Sequence, residues 1–520
     1  MKGGPRLLRI CTDSESRDQH LNDVQIGFPI LPEIASPVYF DLLRTWIHQC
    51  NDSHECHTPS AASNNVLPTR LLYVGCSNSK LLALKETATH TGIRNYVALS
   101  HCWGDVTKEQ TEKFWTSTQN IQTRQKGFSI NELPKTFRDA IRVTRELGQE
   151  YLWIDSLCIL QDDTPDWQRE SKLMESVFSS AYCVIAASSA TSSLEGFLER
   201  DVSSNCVSTT DAMGRQIYVC EDKDDFDNDV NEAGLNKRGW VLQERVLSRR
   251  TIHFSKRQTY WECGEGVRCE NLNLLTTPEW GHYFLLDPIF PTRLLKAGTK
   301  RTVAFFNSLI EDYSVRGLSE PADRAIAIAG LQSRIAKALG CEHRHGILDR
   351  FLHRNLLWQR PVGGKLDQIL YNNLNVPSWS WMAYQGCIKF VDIPFSLRIS
   401  IYWHRGLKFD EDQKDCLRGS LGEFWDCTTM KTETQYTILD SAQIEVGWLQ
   451  YDVENGTDLN MQKFVVIGYT SKDYLIEDGK PNYFILLVQS TGTSGQYRRV
   501  GVGLVQATHV SKLEDNVHIV

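Results

Sequence analysis

The feature that most constrains the fold is an alternation of apolar strand-like segments and amphipathic helical segments between residues 70 and 190. Four apolar segments predict strands, at residues 71–74, 96–100, 151–160 and 182–188. The third of these is apolar on both faces, which is typical of a strand in a parallel sheet that is covered on both sides. Strands that alternate with helices at this spacing predict an α/β fold with right-handed crossovers.

Two helices are predicted between these strands. The first has apolar residues at helical spacing, with Pro134 in its first turn and Gly148 at its end. The second begins after Asp163 or Thr164 as the N-cap, with Pro165 in its first turn. Both helices fit the crossover connections that a parallel sheet requires.

The rest of the chain divides by composition. Residues 1–40 are rich in glycine, proline, serine and charge, so we expect a loosely ordered lead-in. The acidic run 221–229 lacks the central glycine and the final glutamate of an EF-hand loop, so a solvated insertion over 199–236 is expected. Three further regions are expected to be, in order, strand-rich, mainly helical and β-rich: residues 237–262, 263–390 and 391–520.

Composition excludes several classes of protein. With 520 residues, 41% of them hydrophobic, the chain can bury a sizeable core, and its net charge of −8 gives no overall basic footprint for nucleic acid. No segment approaches the roughly 18 consecutive apolar residues of a transmembrane helix. The first residues also show no signal-peptide core. The 15 dispersed cysteines therefore indicate a reducing compartment, and a cytoplasmic protein is expected.

A compact group of potential metal ligands stands in the N-terminal part of the chain: Cys50, His54, Cys56 and His57. Sulfur and imidazole can hold zinc, but this spacing matches no standard pair of zinc knuckles. Buried packing is the favoured interpretation, and no metal site is predicted. Cys263 and Cys269 carry even less weight. The chain also lacks the P-loop, the G-x-G-x-x-G fingerprint and the H-E-x-x-H, G-x-S-x-G and kinase signatures.

The segment YVALSHCWGD (96–105) contains a predicted strand that ends at Ser100 and a polar and aromatic turn that follows it. The turn consists of His101, Cys102, Trp103, Gly104 and Asp105. In parallel α/β sheets, ligands bind beyond the carboxyl ends of the strands, so this turn is a candidate binding site. It can equally be a structural turn in which Trp103 belongs to the core and Gly104 supplies a positive φ.

Two carboxylates interrupt otherwise apolar faces. Asp155 lies inside the predicted strand 151–160, where a buried carboxylate needs a partner or gains proton affinity. It can bind a ligand or act as a base, or it can cap a helix or pair with an arginine. Glu170, three residues after Trp167, lies on the apolar stripe of the second helix. Its carboxylate either lines the edge of a pocket or extends to solvent at the rim of the apolar stripe.

The segment RGWVLQER (238–245) places four polar side chains around Trp240, and they are Arg238, Gln243, Glu244 and Arg245. Arginines can bind phosphate or carboxylate in bidentate fashion. They can also pair with buried acids such as Asp155, and this structural pairing is the favoured interpretation.

These blocks, in this order, resemble the fungal heterokaryon incompatibility (HET) domain family. The blocks are YVALSHCWGD, the stretch from LPKTFRDAIRVTRELGQEYLWIDSLCILQDD to YCVIAAS, and RGWVLQERVLSRRTIHF. With WIHQCNDSHECH upstream and with YSVRGLSEPADRAIAIAGL and PSWSWMAYQG downstream, the resemblance covers about residues 40–390. It identifies 41–262 as the HET domain and 263–390 as its extension. The chain departs from the family at His101, where an aromatic such as tyrosine is usual, and at Leu160, where asparagine is usual.

The resemblance implies fungal non-self recognition and programmed cell death, through self-association or through another incompatibility protein. The family is similar, distantly, to TIR domains, which implies a flavodoxin-like core and, in an enzymatic version, cleavage of NAD as the substrate, with no cofactor. Trp167 and Glu170 have the W-x-x-E spacing of TIR enzymes, so Glu170 is a candidate catalytic residue. Asp155, as a possible base, is the second candidate catalytic residue. The candidate ligand-binding residues are Ser100, His101, Trp103, Gly104, Asp105, Cys158, Gln161, Trp167, Arg238, Trp240, Gln243, Glu244 and Arg245.

Three functions stay open at this point. A non-catalytic signalling module predicts that surface changes abolish activity while Glu170→Ala does not. A TIR-like NAD glycohydrolase that uses Glu170 predicts the release of nicotinamide from NAD. A small-molecule tailoring enzyme or cyclase of a biosynthetic cluster requires a deep apolar pocket lined by tryptophans.

Overall fold

The computed structural model describes most of the chain, in these ranges: 8–12, 25–28, 30–57, 67–76, 79–90, 92–200, 206–210, 214, 216–221, 224–275, 284–372, 374–393, 395, 401–432, 435–453, 462–470 and 481–520. The chain divides into two compact units, Met1–Arg293 and Leu294–Val520, the first and the second unit. The boundary falls inside the predicted helical extension 263–390, so the two units share that extension. None of the helices in the ranges above is long and apolar enough to cross a membrane.

The first unit alternates helices and strands. Its helices in the described ranges are α1 Pro37–Ser53, α2 Lys108–Glu112, α3 Ile121–Lys126, α4 Lys135–Glu146, α5 Asp155–Cys158, α6 Thr164–Ser180 and α7 Gly239–Leu247. Its strands there are β1 Leu8–Thr12, β2 Gln25–Ile26, β3 Arg70–Tyr73, β4 Leu81–Glu86, β5 Val97–Ser100, β6 Phe128–Ser129, β7 Tyr151–Trp153, β8 Cys183–Ala186, β9 Cys206–Thr210, β10 Gln216–Glu221, β11 Arg250–Phe254, β12 Thr259–Cys263, β13 Gly266–Cys269 and β14 Leu274–Leu275.

Ten strands of the first unit form one mixed sheet in the order β14-β13-β12-β11-β8-β5-β7-β3-β4-β6. The four central strands, β11, β8, β5 and β7, are parallel to one another. The α/β class is therefore confirmed. The first predicted strand, however, is antiparallel to its neighbour, because β3 and β7 run in opposite directions. The crossovers that parallel strands need include α4, between β5 and β7, and α6, between β7 and β8.

The residues at the helix ends explain where the covering helices begin. Ser36 caps α1 by accepting a hydrogen bond from the Tyr39 backbone amide at 3.2 Å, and Pro37 occupies the first turn. The Asp163 side chain caps α6 by accepting from the Asp166 backbone amide at 3.3 Å. The buried faces of α1 and α4 then join β5, β7 and β8 in one apolar core.

Two segments predicted as strands are partly helical. The strand predicted at 151–160 ends at Trp153, and Asp155–Cys158 forms the short helix α5. The segment 237–262, predicted to be strand-rich, begins with α7, and strands follow only from Arg250. Both segments are apolar on more than one face, and periodicity cannot distinguish a short buried helix from a buried strand.

A four-stranded sheet in the order β2-β1-β10-β9 joins the N-terminal segment to the acidic insertion. The predicted lead-in 1–40 is therefore paired in part, since β1 lies antiparallel to β10. The acidic run is not wholly solvated either. Asp229, with a side chain 8% exposed, accepts hydrogen bonds from Arg257 Nε at 2.8 Å and from the Tyr260 hydroxyl at 2.7 Å. This carboxylate thus anchors the insertion to β12.

The longer helices of the second unit precede its strands, and one short helix follows the first two strands. The helices from its boundary onward are α8 Thr292–Lys296, α9 Thr299–Val315, α10 Ala329–Leu339 and α11 Leu352–Asn355. Its strands in the described ranges are β15 His343–Arg344, β16 Ile347–Leu348, β17 Trp358–Gln359, β18 Asp367–Gln368, β19 Tyr384–Gln385, β20 Lys389–Phe390, β21 Ile401–Trp403, β22 Lys408–Phe409, β23 Leu417–Phe424, β24 Cys427–Lys431, β25 Tyr436–Asp440, β26 Glu445–Tyr451, β27 Lys463–Thr470, β28 Asn482–Ser490, β29 Gln496–Gln506 and β30 Val510–Ile519. The predicted β-rich C-terminal region is confirmed.

Five strands of the second unit pair in a closed ring. The ring runs through β23, β27, β28, β29 and β30, and β30 returns to β23. Strands β26, β25 and β24 continue the sheet outward from β29. Leu449, Phe464, Ile485 and Val505 lie in the apolar core that these strands enclose.

Arg499 on β29 is a buried charge in this second unit. Its guanidinium pairs with Asp452 at 3.0 Å (Nε to Oδ2), and the two side chains are 0% and 1% exposed. The same group donates to the Leu356 carbonyl oxygen at 2.6 Å and lies 3.3 Å from the ring centroid of Trp358. Removal of one member of such a pair leaves the other charge buried without compensation.

We therefore expect Arg499→Leu to lower the free energy of unfolding of the second unit by about 3–5 kcal/mol. Arg498→Leu is the matched control, because the neighbouring arginine is exposed, lies on the other face of the strand and bonds only the exposed Gln489 among the contacts described. Urea unfolding measures both variants. Equal unfolding midpoints for the two variants would contradict a stabilising role for the buried pair.

Candidate functional site

The carboxyl ends of three neighbouring parallel strands meet at one edge of the main sheet. Ser100 is the last residue of β5, Asp155 follows β7 by two residues, and Ser188 follows β8 by two residues. Because β5 lies between β7 and β8, these ends are adjacent, and ligands of α/β sheets bind outside such ends. Six predicted residues come together here as the carboxyl-edge site: Ser100, His101, Trp103, Asp155, Arg238 and Glu244.

The centre of the carboxyl-edge site is a hydrogen bond between β5 and α7. The Ser100 hydroxyl donates to Glu244 Oε2 at 2.5 Å, and the two residues are 3% and 8% exposed. Burial raises the pKa of Glu244 to about 7, although the Ser100 hydroxyl and the Arg238 guanidinium act in the opposite direction. This carboxyl group therefore changes its protonation state near neutral pH.

His101, Trp103 and Asp155 form the second contact of the site. Asp155 Oδ2 accepts a hydrogen bond from Trp103 Nε1 at 2.8 Å, and Asp155 Oδ1 lies 4.0 Å from His101 Nδ1. Burial lowers the pKa of His101 to about 4 against the attraction of Asp155, so the imidazole is neutral at neutral pH. The prediction of a buried carboxylate inside a strand is wrong, because Asp155 begins α5 and its side chain is 30% exposed.

The turn after β5 is fixed by close packing. Arg238 Nη1 donates a hydrogen bond to the His101 carbonyl oxygen, which ties the turn to the start of α7. Gly104 has a φ of +77°, and a Cβ on it would lie 2.3 Å from the Cβ of Ser192. The predicted positive φ is therefore present, and the close approach of Ser192 gives a second reason for glycine.

Little space is left at the centre of the site. The cavity that Ser100, Glu244, Arg245 and His253 help to line has a volume of about 10 Å³, which is room for about one water molecule. The buried polar atoms at this edge that have no hydrogen-bond partner in the described part of the chain include His101 Nε2, Ser156 Oγ and Ser188 Oγ. Buried polar groups normally have partners, so this edge can take up water or one small polar group.

Glu170, the predicted catalytic carboxylate, belongs to a separate ion-pair network. Its side chain is 3% exposed, and Oε1 lies 3.3 Å from Arg169 Nε and 3.9 Å from Arg70 Nη2. Arg70 also pairs with Asp166 and donates from Nε to the Cys158 carbonyl oxygen at 2.7 Å. The contacts described for Glu170 therefore connect α6 to β3, and they do not include the carboxyl-edge site. Arg70 extends the network to α5.

Arg245 lines the small cavity beside Ser100, but its ion pair is with a residue outside the carboxyl-edge site. Its guanidinium pairs with Glu262 at 2.7 Å, and Glu262 in turn lies 2.7 Å from His253 Nε2. The sequence favoured pairing of these arginines with buried acids such as Asp155. Arg245 does pair with a buried acid, but that acid is Glu262.

The remaining predicted residues are described by their own contacts or by their burial. Trp167 and Trp240, in the first turns of α6 and α7, meet edge to face with ring centroids 6.5 Å apart. Gln161 Nε2 donates to the Ile159 carbonyl oxygen at 3.0 Å. Of the other three predicted ligand-binding residues, Cys158 and Gln243 are buried and Asp105 is exposed.

Sequence reasoning missed the charged partners Arg70, Asp166, Glu262 and His253. Glu262 and His253 lie in the buried strands β12 and β11, and Arg70 lies in the buried strand β3. A charged or polar residue within an apolar strand was the available signal, because such a residue needs a partner. Asp166 carried no comparable signal, since an acid in the first turn of a helix is ordinary.

Comparison with known proteins identifies the central segment. Residues 96–244 match the family model described as Heterokaryon incompatibility protein (HET), and this segment contains the YVALSHCWGD and RGWVLQE motifs on which the predicted resemblance rests. The Heterokaryon incompatibility protein 6, OR allele, of Neurospora crassa is 30% identical over 116 residues, which are 21% of this chain and 16% of that relative. No solved structure matches the chain. The distant similarity to TIR domains stays a prediction.

The close approach at Gly104 predicts an unusually sensitive position. A positive φ alone costs an L-residue about 1–2 kcal/mol, and Gly104→Ala should exceed that because its Cβ would overlap Ser192. Gly148→Ala is the matched control, with a φ of +71° and nothing within 4 Å of its Cβ. Urea unfolding compares the two. A Gly104→Ala variant that loses no more stability than Gly148→Ala would contradict the packing of this turn.

The raised pKa of Glu244 predicts a pH-dependent stability. Since the folded pKa of about 7 exceeds the ordinary value of 4.5, the folded state favours the protonated carboxyl. Its contribution is therefore fully present below about pH 4.5 and is lost as the pH rises through about 7. At about 1.4 kcal/mol per pKa unit, the loss amounts to about 3 kcal/mol.

Glu244→Gln keeps the shape of the side chain and cannot ionise, so we expect it to flatten the decline in stability between pH 5 and pH 8. Unfolding midpoints in urea at the two pH values measure the effect. Glu232→Gln, at an exposed carboxyl, is the control and should leave the decline unchanged. If Glu244→Gln lost as much stability between pH 5 and pH 8 as the wild type does, the decline would be due to other groups.

Proposed function

We propose that this chain acts in heterokaryon incompatibility in the fungal cytoplasm, where it binds a second copy of itself or another incompatibility protein and signals cell death. The observation that carries the proposal is the position of the carboxyl-edge site in the matched segment. That segment ends at Glu244, and the Ser100–Glu244 hydrogen bond joins its last residue to its first strand. The residues of the HET match thus converge on one site.

Two features favour signalling by binding over catalysis. Glu170 is occupied by Arg169 and Arg70, and the cavity beside Ser100 and Glu244 has room for about one water molecule. A tailoring enzyme would need a far larger pocket at this edge.

The side chains available at the carboxyl edge suit a protein interface. Trp103, Trp167 and Trp240 are half-buried, and Asp105 is exposed. Tryptophans that present one apolar face next to polar groups are frequent anchors of protein interfaces. Trp167 and Trp240 contact each other, so they form the centre of the proposed surface.

A second candidate function, hydrolysis of NAD, is favoured by the order of the parallel strands. Along the chain the parallel strands come in the order β5, β7, β8, β11. Across the sheet they stand in the order β7-β5-β8-β11, which is the order 2-1-3-4. Flavodoxin-like folds have this order, which supports the TIR-like core that the resemblance implies. In this function Glu170 would leave its arginines, orient the ribose hydroxyls and stabilise the charge that develops as nicotinamide departs.

Expression in fungal cells tests the proposal. We expect the wild-type chain to kill its host, and Trp240→Ala to reduce the fraction of dying cells severalfold because it removes half of the tryptophan pair. Trp425→Ala, at a tryptophan 63% exposed in the second unit, is the control for the loss of a surface indole and should kill as the wild type does. Killing by Trp240→Ala at the wild-type level would exclude the proposed surface.

Incubation of the purified protein with NAD separates the two candidates. Under the proposed binding function, neither the wild type nor Glu170→Gln releases nicotinamide, including under conditions that promote assembly, and both kill cells equally. Glu170→Gln preserves the shape of the side chain, and a thermal melt shows whether it is folded. Nicotinamide release by the wild type, lost together with killing in folded Glu170→Gln, would replace the binding function by the hydrolase.

A further inference from the structure

Four potential metal ligands from two distant parts of the first unit meet at one point. Cys50 lies in the last turn of α1, His54 directly follows that helix, and Cys56 lies in the short 3-10 turn Glu55–His57. Cys263, the last residue of β12, joins them from more than 200 residues along the chain. Their ligand atoms all lie within 4.8 Å of one another. We propose that these four residues bind one zinc ion.

The distances fit a tetrahedral zinc site. With Zn–S bonds of about 2.3 Å and a Zn–N bond of about 2.0 Å, tetrahedral geometry places sulfur and nitrogen about 3.5 Å apart and two sulfurs about 3.8 Å apart. The His54 Nδ1 and Cys263 Sγ atoms are 3.6 Å apart. Since all the ligand atoms lie within 4.8 Å of one another, no pair needs to close by more than about 1.3 Å to reach its tetrahedral distance.

The donor set and its burial specify the metal and its role. Cys50, Cys56 and Cys263 are 0%, 1% and 3% exposed, and His54 is half-buried. Three thiolates and one imidazole are soft ligands that select zinc over magnesium or calcium. Four protein ligands leave no open position for water or substrate, so the zinc would be structural. The ion would also balance the negative charge of thiolates in an apolar core.

The backbone next to the cluster supports a sulfur ligand. The Gly264 amide donates a hydrogen bond to Cys56 Sγ at 3.3 Å, and such contacts orient metal-bound sulfur. A Cβ at Gly264 would lie 3.0 Å from that sulfur and 2.9 Å from the Pro288 ring. A side chain here would thus displace the ligand, and glycine permits the close approach.

The location gives the proposed ion a task. Residues 50–56 precede the HET segment 96–244 and Cys263 follows it, so the ion would tie together the two flanks of that segment. Sequence reasoning had favoured packing for the N-terminal group and gave Cys263 no role, because the two lie far apart in sequence. The side chain of His57, the fourth member of the predicted group, lies outside the described residues.

Metal analysis of the full chain tests the proposal. Protein purified without chelators should contain about one zinc ion per chain, and Cys50→Ser and Cys263→Ser should each lose most of it and melt at a lower temperature. Cys183→Ala is the matched control, because Cys183 is 1% exposed in β8 and lies outside the cluster. It should keep its zinc. Zinc-free wild type that takes up none on titration, or equal zinc in Cys263→Ser and wild type, would overturn the proposal.

Cobalt substitution tests the wild type directly, and it does not depend on whether the serine variants fold. The cobalt-loaded chain should show thiolate-to-metal charge-transfer bands and the intense visible bands of a tetrahedral ion. Weak bands of octahedral cobalt without charge transfer would overturn the proposal. A disulfide between two of the three cysteines, detected by mass spectrometry in protein handled under reducing conditions, would do so as well.

Discussion

The buried hydrogen bond between Ser100 and Glu244 is the contact on which the arrangement of the first unit depends. A carboxyl group only 8% exposed must be bonded or protonated, so α7 has to lie against the end of β5 although 144 residues separate the two partners. β11 begins three residues after α7 and pairs with β8. The bond therefore determines where the chain re-enters the sheet after the acidic insertion.

Burial shifts two groups of the carboxyl-edge site, His101 and Glu244, toward their neutral forms. The pKa of His101 falls to about 4 and the pKa of Glu244 rises to about 7, in both cases chiefly because water is excluded. The other two ionisable side chains of the site, Asp155 and Arg238, are hydrogen-bonded to Trp103 and to the His101 backbone, respectively. Because His101 and Glu244 are shifted toward their neutral forms, apolar side chains can pack against the ends of the strands without burying an unpaired charge.

The sequence predicted much of the secondary structure, because the strands β5, β8 and the helices α4, α6 carry clear apolar patterns and caps. It also predicted Ser100, Asp155, Arg238 and Glu244 as site residues. It did not predict the helices α5 and α7, since both are short, buried and apolar on more than one face. Periodicity describes only local structure, so the sequence patterns could not predict contacts between residues far apart in the chain. Examples are Arg70 with Glu170 and His54 with Cys263.

The segment that matches the family model, residues 96–244, is smaller than the sheet to which its parallel strands belong. β7 pairs with β3, and β8 pairs with β11, yet β3 and β11 both lie outside residues 96–244. A fragment cut at those limits would keep three parallel strands with both outer edges open, and open edges recruit strands from other chains. A stable piece of this fold therefore has to be larger than the matched segment and has to include the flanking strands β3 and β11.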